Sequence, residues 1–524
     1  MEAKYKPVVL VVLDGWGASQ TKKGNPIFKS QLPTYDKLNQ YYPKTLLQAS
    51  GMAVGLPWGV MGNSEVGHQT MGCGQIIYQF LPTINAAIGN GSFFSNQVLL
   101  DTAKHVKKNK SKLHFIGLVS DGGVHSNMDH LIALLSFAKQ QEIEEVYIHA
   151  ITDGRDTDPK SALNYLTSLE QSIKEIGVGE IASLSGRYYT MDRNNNWDRI
   201  EKSFRALTEG EGIKENNFAE AIKNQYQKGN TDEYLEPIVL TGEKGNPRAL
   251  IEDKDAIVCF NFRKDRSRQI ARAFSVKDFS EFQEAKQPEE VRFVGFNKYE
   301  DDLPVETVFK QQEITTRLGQ IVSEKGLKQL RIAETEKYAH VTYFFNGGFE
   351  KPFKGEDRMV IPSKNVPSYA DKPEMSARKI TDKLIAQIDK EKHDFILVNY
   401  ANPDMVGHTG DFQAGIKALE FTDKCLGELI EKVIEKQGSM IITADHGNIE
   451  EMINLYTGER DTEHSTNPVP CWLLTPENKR EESSYKIVTE VGGMLVDLAP
   501  TVLDLLNIPK PEDMAGRSLL ETLS

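Results

Sequence analysis

The sequence predicts an α/β protein of two domains, one of them interrupted by the other. Three observations carry this expectation. Short apolar, β-branched runs recur along the chain, and helical patterns lie between them. The polar residues that follow those runs fall into two chemically different sets, which segregate along the sequence. At ~100–200 residues per domain, a chain of 524 residues has room for more than one core.

The runs, in order, are V-V-L-V-V-L (8–13), L-H-F-I-G-L-V (113–119), E-V-Y-I-H-A-I (145–151), A-I-V-C-F-N-F (256–262), F-I-L-V-N-Y (395–400) and M-I-I-T-A (440–444). Continuous apolar runs of this length suit strands buried on both faces of a parallel sheet. Between them, 128–139, 377–388 and 414–434 repeat apolar residues at helical spacing. Strand and helix in alternation make an α/β fold.

Each run ends in residues capable of chemistry. Asp14 follows the first, and S-D-G-G-V-H (120–125) the second. D-G-R-D (153–156) follows the third, Arg263 and Arg266 the fourth. Asp404 and His408 follow the fifth, Asp445 and His446 the sixth. Open parallel sheets bind ligands beyond the carboxyl ends of their strands. Any one Asp-Gly after a strand is a common turn; the recurrence at all six is what points to a site.

The two sets differ in kind. Asp14, Ser64, Asp404, His408, Asp445, His446 and His464 lie near the two ends of the chain. Carboxylate, imidazole and hydroxyl are ligands for a divalent metal. His125, Arg155, Asp156, Arg187, Arg193, Arg263 and Arg266 lie in the middle. Guanidinium forks match phosphate and carboxylate. The expected architecture is therefore a metal-carrying domain of residues 1–76 and 314–524, with an anion-binding domain of residues 77–313 inserted in it. Glycine-rich M-G-C-G (71–74) and the polar stretch 309–313 are the candidate linkers.

Composition excludes other classes. A formal net charge of −13 opposes nonspecific binding to nucleic acid or anionic membrane. The basic run 104–112 reads as a solvated face. The apolar run after Pro7 is too short for a signal peptide, and no stretch reaches the ~18 apolar residues of a membrane span. The 4 cysteines are far apart and form no C-x-x-C. The expected location is the cytoplasm.

V-M-G-N-S-E-V-G-H (60–68) raises the chemical question. It nearly matches the G-x-S-x-G nucleophile elbow, but the spacing is G-x-S-x-x-G. Only His68 lies nearby as a base, and a structural role is expected for it. A metal-bound hydroxyl loses its proton without such a base, and a pair of metals stabilises attacking and leaving oxygens in phosphoryl displacement. D-M-V-G-H (404–408) puts Asp404 and His408 on one face if helical, or bends them inward through Gly407 if looped. His464, in D-T-E-H-S-T-N-P-V-P, is equally read as a surface histidine.

Taken together, V-V-L-V-V-L-D-G-W-G, M-G-N-S-E-V-G-H, S-D-G-G-V-H-S, T-D-G-R-D-T, S-G-R-Y-Y-T-M-D-R, N-F-R-K-D-R, A-N-P-D-M-V-G-H-T-G, T-A-D-H-G-N and T-N-P-V-P resemble the 2,3-bisphosphoglycerate-independent phosphoglycerate mutases of the alkaline phosphatase superfamily. The resemblance covers essentially the whole chain. It implies an alkaline-phosphatase-like metal domain interrupted by a large substrate-binding domain. It implies interconversion of 3-phosphoglycerate and 2-phosphoglycerate in glycolysis and gluconeogenesis, with Ser64 as phosphoryl acceptor and metal ligand. Asp14, Asp445 and His446 would complete one metal site; Asp404, His408 and His464 would hold a second metal. Manganese is the family's usual bacterial metal. His125, Arg155, Asp156, Arg187 and Arg193 would hold glycerate, and Arg263, Arg266 and Lys337 the phosphate. Asp156 would carry protons, and a clamp-like pair of domains would exclude water. A monomer acting on a small molecule is expected. Asp461 stands near where members often carry a further histidine, and Cys73 and Gln75 replace a common Ala and Arg. The alternatives are a phosphatase or phosphopentomutase-like relative, and a non-enzymatic anion-binding protein.

Overall fold

The computed structural model describes residues 4–277, 279–282, 285–481 and 488–523. It is an α/β chain of two compact units, Met1–Tyr78 with Gln312–Ser524, and Gln79–Gln311. Each is built on an eight-stranded sheet.

In the discontinuous unit the spatial order is Glu356–Ile361, Gln329–Glu334, Phe395–Tyr400, Val8–Leu13, Ser439–Thr443, Val469–Leu474, Lys44–Gln48 and Val491–Met494. Val8–Leu13 is wholly buried and pairs in parallel with both Phe395–Tyr400 and Ser439–Thr443. A strand covered on both faces has no solvent side, which is why its sequence never alternates. Register sets Leu13 beside Tyr400, and Val12 beside Thr443. Asp14, the 401–408 segment and Asp445 therefore leave the sheet at one edge.

The first five strands are parallel, as expected, but Val469–Leu474 runs antiparallel. A parallel return needs a crossover, usually helical. Residues 444–468 contain no helix and fold back through bridges Gly447–Ser465 and Ile453–Arg460. The helix expected over 414–434 spans Phe412–Glu435, capped by Asp411, which accepts the Ala414 N–H at 2.9 Å.

In the contiguous unit the order is Glu306–Thr307, Arg292–Gly295, Ala256–Cys259, Leu113–Leu118, Val146–Thr152, Glu180–Gly186, Ile238–Leu240 and Ile213–Glu215. Among the described strands of this sheet, only the Glu180–Gly186/Ile238–Leu240 pair is antiparallel. Helices Gln97–Asn109, Met128–Gln140 and Ala162–Ile176 fill one core, and Trp197–Thr208 and Arg268–Ser275 another. The strand expected over 256–262 stops at Cys259. Beyond it the Tyr299 hydroxyl donates to the Asn261 carbonyl at 2.7 Å, and the Phe262 N–H turns to the His125 carbonyl.

Four buried side chains link four neighbouring strands of this unit. Asp255 Oδ2 lies 3.1 Å from His114 Nε2, His114 Nδ1 2.9 Å from His149 Nε2, and His149 Nδ1 2.8 Å from Ser183 Oγ. Among the described residues, no helix is long and apolar enough to cross a membrane.

Candidate metal centre and anion site

Five separated segments deliver the ligand set, His464 coming from the loop before Val469–Leu474. Asp14 leaves the central strand. Asp404 sits on the short helix Asn402–Gly407, and His408, one turn on, caps its C-terminus. Asp445 and His446 follow Ser439–Thr443. Ser64 is the first residue of helix Ser64–Cys73, whose cap Asn63 accepts the Val66 N–H at 3.1 Å. The motif is thus a helix start, and the free N–H groups of that first turn favour negative charge on the serine. Its glycines are packing requirements. A Cβ on Gly67 would lie 2.6 Å from the Asp445 carbonyl, and one on Gly62 2.0 Å from the Ala49 carbonyl.

Ser64 Oγ is buried between Asp14 Oδ1 at 3.2 Å and His446 Nε2 at 3.0 Å. Lys337 Nζ, also buried, donates to Ser64 Oγ at 2.7 Å and to Asp14 Oδ1 and Asp404 Oδ2 at 2.6 Å each. Burial opposes the Lys337 charge, but Asp14, Asp404 and Asp445 outweigh it and hold the pKa above the usual lysine value. Burial, then the charge of Asp445, pushes Asp14 up to about 7. For Asp404 burial works the same way, but Lys337 prevails and holds it well below the usual carboxylate range.

The imidazoles add to the ligand set. His408 Nδ1 lies 2.7 Å from the Thr462 carbonyl and His464 Nδ1 2.8 Å from the Gly62 carbonyl. A carbonyl only accepts, so each Nδ1 carries a proton, and in the neutral imidazole each Nε2 keeps a lone pair; Asp404 raises the pKa of both histidines. The two Nε2 atoms are 3.1 Å apart, and 3.3 Å and 3.4 Å from Asp404 Oδ1. With both imidazoles neutral, three acceptors face one point, an arrangement that suits a cation. Metal–ligand bonds of about 2.1 Å space neighbouring ligand atoms by about 3.0–3.4 Å, which these distances match. Asp404, His446 and His464 form one candidate group, and Asp14, Asp445 and His446 a second.

Residues outside the expected set hold these ligands. Asn399 Nδ2 donates to Asp14 Oδ2 at 2.6 Å, and Asn448 Nδ2 to Asp404 Oδ1 at 2.8 Å. Both asparagines are buried, Asn399 within the strand Phe395–Tyr400 and Asn448 in the loop after Ser439–Thr443. His68 is buried and bonds the Ser64 carbonyl through Nδ1 at 2.9 Å. The same Nδ1 lies 3.2 Å from Asp445 Oδ2, so His68 braces that carboxylate from inside the protein.

The arginine set lies in the contiguous unit. Arg187 Nη1 bonds Asp153 Oδ1 at 2.7 Å and Asp156 Oδ2 at 2.6 Å, and His125 Nε2 lies 3.9 Å from that Asp156 oxygen. Asp265 joins Arg263 at 3.0 Å to Arg193 at 3.2 Å. Burial, then the charges of Arg187, Arg193 and Arg155, lowers the pKa of Arg266, whose Nη1 donates to the Met191 carbonyl at 3.0 Å. Arg155 is half exposed and pairs loosely with Glu233 at 3.4 Å. Lys337, grouped with Arg263 and Arg266 by the resemblance, belongs to the other unit.

Comparison with known proteins follows this division. The family described as BPG-independent PGAM N-terminus matches residues 84–301, and that of type I phosphodiesterase / nucleotide pyrophosphatase matches residues 285–489. The chain is 48% identical over 517 residues to a 2,3-bisphosphoglycerate-independent phosphoglycerate mutase of Clostridium botulinum, covering 98% of this chain and 99% of the relative. A relative of the same name from Methanosarcina acetivorans, numbered 1, is 48% identical over 521 residues, covering 99% of each chain. Among solved structures, Leishmania mexicana phosphoglycerate mutase at low cobalt concentration is 30% identical with a TM-score of 0.57, covering 98% of this chain and 97% of that one. With the ligand geometry, this full-length similarity establishes that the chain belongs to the 2,3-bisphosphoglycerate-independent phosphoglycerate mutase family.

Proposed function

We propose that this chain interconverts 3-phosphoglycerate and 2-phosphoglycerate through a phosphoserine at Ser64, without 2,3-bisphosphoglycerate. The observation that carries the reading is Ser64 itself: a buried hydroxyl at a helix N-terminus, contacting Asp14, His446 and Lys337. Asp14, Ser64, Asp445 and His446 would hold one divalent cation, and Asp404, His408 and His464 a second, with manganese as the favoured ion. Bound there, the cations would acidify the Ser64 hydroxyl and neutralise phosphoryl oxygens.

The chain's own groups supply the rest. Ser64 Oγ, as the alkoxide whose proton has already passed to solvent, attacks phosphorus, and the bond from phosphorus to the glycerate oxygen breaks. Asp156, as the carboxylic acid, gives that oxygen its proton. Arg155, Arg187, Arg193 and His125 retain glycerate, keeping its local concentration high. Asp156, now a carboxylate, takes the proton of the other hydroxyl. That oxygen then attacks the phosphoserine, and Ser64 Oγ leaves. Arg263, Arg266 and Lys337 counter charge on the equatorial oxygens throughout.

In this reading residues 1–76 and 314–524 form the phosphatase-like metal domain, and 77–313 the inserted substrate domain. The enzyme is a cytoplasmic monomer acting on a small anion. The test is an enolase-coupled assay on 3-phosphoglycerate without 2,3-bisphosphoglycerate, with manganese and then with chelator. Turnover that needs metal but no bisphosphoglycerate is expected. Turnover that survives chelation, or that requires the bisphosphate, rejects the reading.

A further inference from the structure

Ser120, Asp153 and Arg187 stand in a row across three adjacent parallel strands. Leu118 pairs with Ile151, and Thr152 with Gly186. Counting on from those pairs, Ser120 comes level with Asp153, and Asp153 with Arg187. The sheet's register has therefore aligned a hydroxyl, a carboxylate and a guanidinium at its carboxyl edge.

Asp153 is the hub of this row and is only 2% exposed. Its Oδ2 accepts the Ser120 hydroxyl at 2.7 Å. Its Oδ1 accepts Arg187 Nη1 at 2.7 Å and the backbone N–H groups of Arg155 at 3.2 Å and Asp156 at 3.0 Å. One carboxylate thus shapes the turn that presents Arg155 and Asp156, and holds the guanidinium that contacts Asp156. Arg187 Nε is buried without a hydrogen-bond partner, so Nη1 is its described anchor.

A free arginine side chain carries about 2 kcal/mol of rotamer entropy. Fixing it in advance moves that cost into the folding of the chain, so the guanidinium is already set beside Asp156 when the reacting groups meet. The pairing also divides the Arg187 charge between two carboxylates, so that Asp156 does not face the whole cation alone.

From this arrangement we infer that Asp153 is a positioning residue for the proton-transfer step, setting Arg187 and Asp156 in their working geometry without touching substrate itself. The inference rests on the mutase reading above. It predicts a specific kinetic signature. The exposed arginines still attract the anion when Asp153 is neutralised, so KM changes little. Misplacement of the reacting groups by about 1 Å costs on the order of 100-fold in rate.

The test is Asp153→Asn in the full chain, whose amide oxygen still caps the turn. The expected result is a kcat at least about 10-fold lower, with KM within about threefold and a single cooperative melting transition well above the assay temperature. If this variant folds poorly, Asp153→Ser retains a turn-capping oxygen and undergoes the same comparison. A folded variant with parental kcat overturns the inference, as does one in which KM and melting temperature move together with kcat, the mark of a merely structural role. A parent chain without mutase turnover rejects the mutase reading, and the inference falls with it.

Discussion

The metal centre and the anion site differ in how completely the fold prepares them. In the discontinuous unit, Asp14, Ser64, Lys337, Asp404, Asp445 and His446 are all buried, and Asn399 and Asn448 fix two of the carboxylates. In the contiguous unit Arg155, Arg193 and Arg263 are 53%, 47% and 48% exposed at their side chains. A cation must find a rigid cage of the right spacing, because several buried carboxylates cannot adapt cheaply. An arriving anion can instead draw in long, solvated arginines. The first site is built in advance, whereas the second is anchored at Asp153–Arg187 and left adjustable elsewhere.

The most severe break in this comparison is Ser64→Ala. Mutase turnover should fall by on the order of 10⁴-fold or more, measured by enolase coupling. Near-parental activity would eliminate the phosphoserine route.

A paired experiment separates the two sites. Asn399→Ala should weaken manganese binding by about 10- to 100-fold, as loss of a ligand-holding group does. Arg263→Ala should leave manganese affinity unchanged and raise KM for phosphoglycerate by on the order of 10-fold or more. Calorimetric titration with manganese and steady-state kinetics read the two effects. Equal metal affinities across both variants would show that the cage does not depend on its asparagine.

The smallest effect concerns stability rather than chemistry. Burial depresses the pKa of His114, against the pull of Asp255, and holds His149 well below the usual value; the charge of His114 also acts on His149, and Lys112 on both. Glu252 acts on His114, and Ser183 bonds His149. In the unfolded chain these histidines take up protons near pH 6.5. Their contribution is therefore full above about pH 6.5 and is lost as the pH falls towards the lowered folded values. The slope is about 1.4 kcal/mol per pH unit for each histidine. Urea midpoints at pH 7 and pH 5 should differ less in His149→Gln than in the parent. An identical difference would exclude the row as the source of acid sensitivity.

Much of the metal centre was legible because its ligands follow apolar strands. Asp14, Asp404, Asp445 and His446 each come within a few residues of a strand end. Asp153 was visible in the same way, but its role was not. Its partners Ser120 and Arg187 lie 33 and 34 residues away, and only sheet register brings them level. Asn399 and Asn448 were hidden for the same reason. The reversal of Val469–Leu474 could not be read from hydrophobicity, because a buried antiparallel strand and a buried parallel one look alike in sequence. The early end of the run over 256–262 depends on Tyr299, 40 residues from Cys259.

The central strand has a consequence for the order of synthesis. Val8–Leu13 is made long before Phe395–Tyr400 and Ser439–Thr443, the two strands it pairs with. The contiguous unit can close its sheet once residue 311 has been made. Throughout that interval a wholly apolar six-residue segment waits with both edges unpaired, the state in which a nascent strand is most exposed to wrong partners. Joining the chain's two ends in one cage thus makes the ribosome-bound chain, rather than the finished enzyme, the stage most in need of a chaperone.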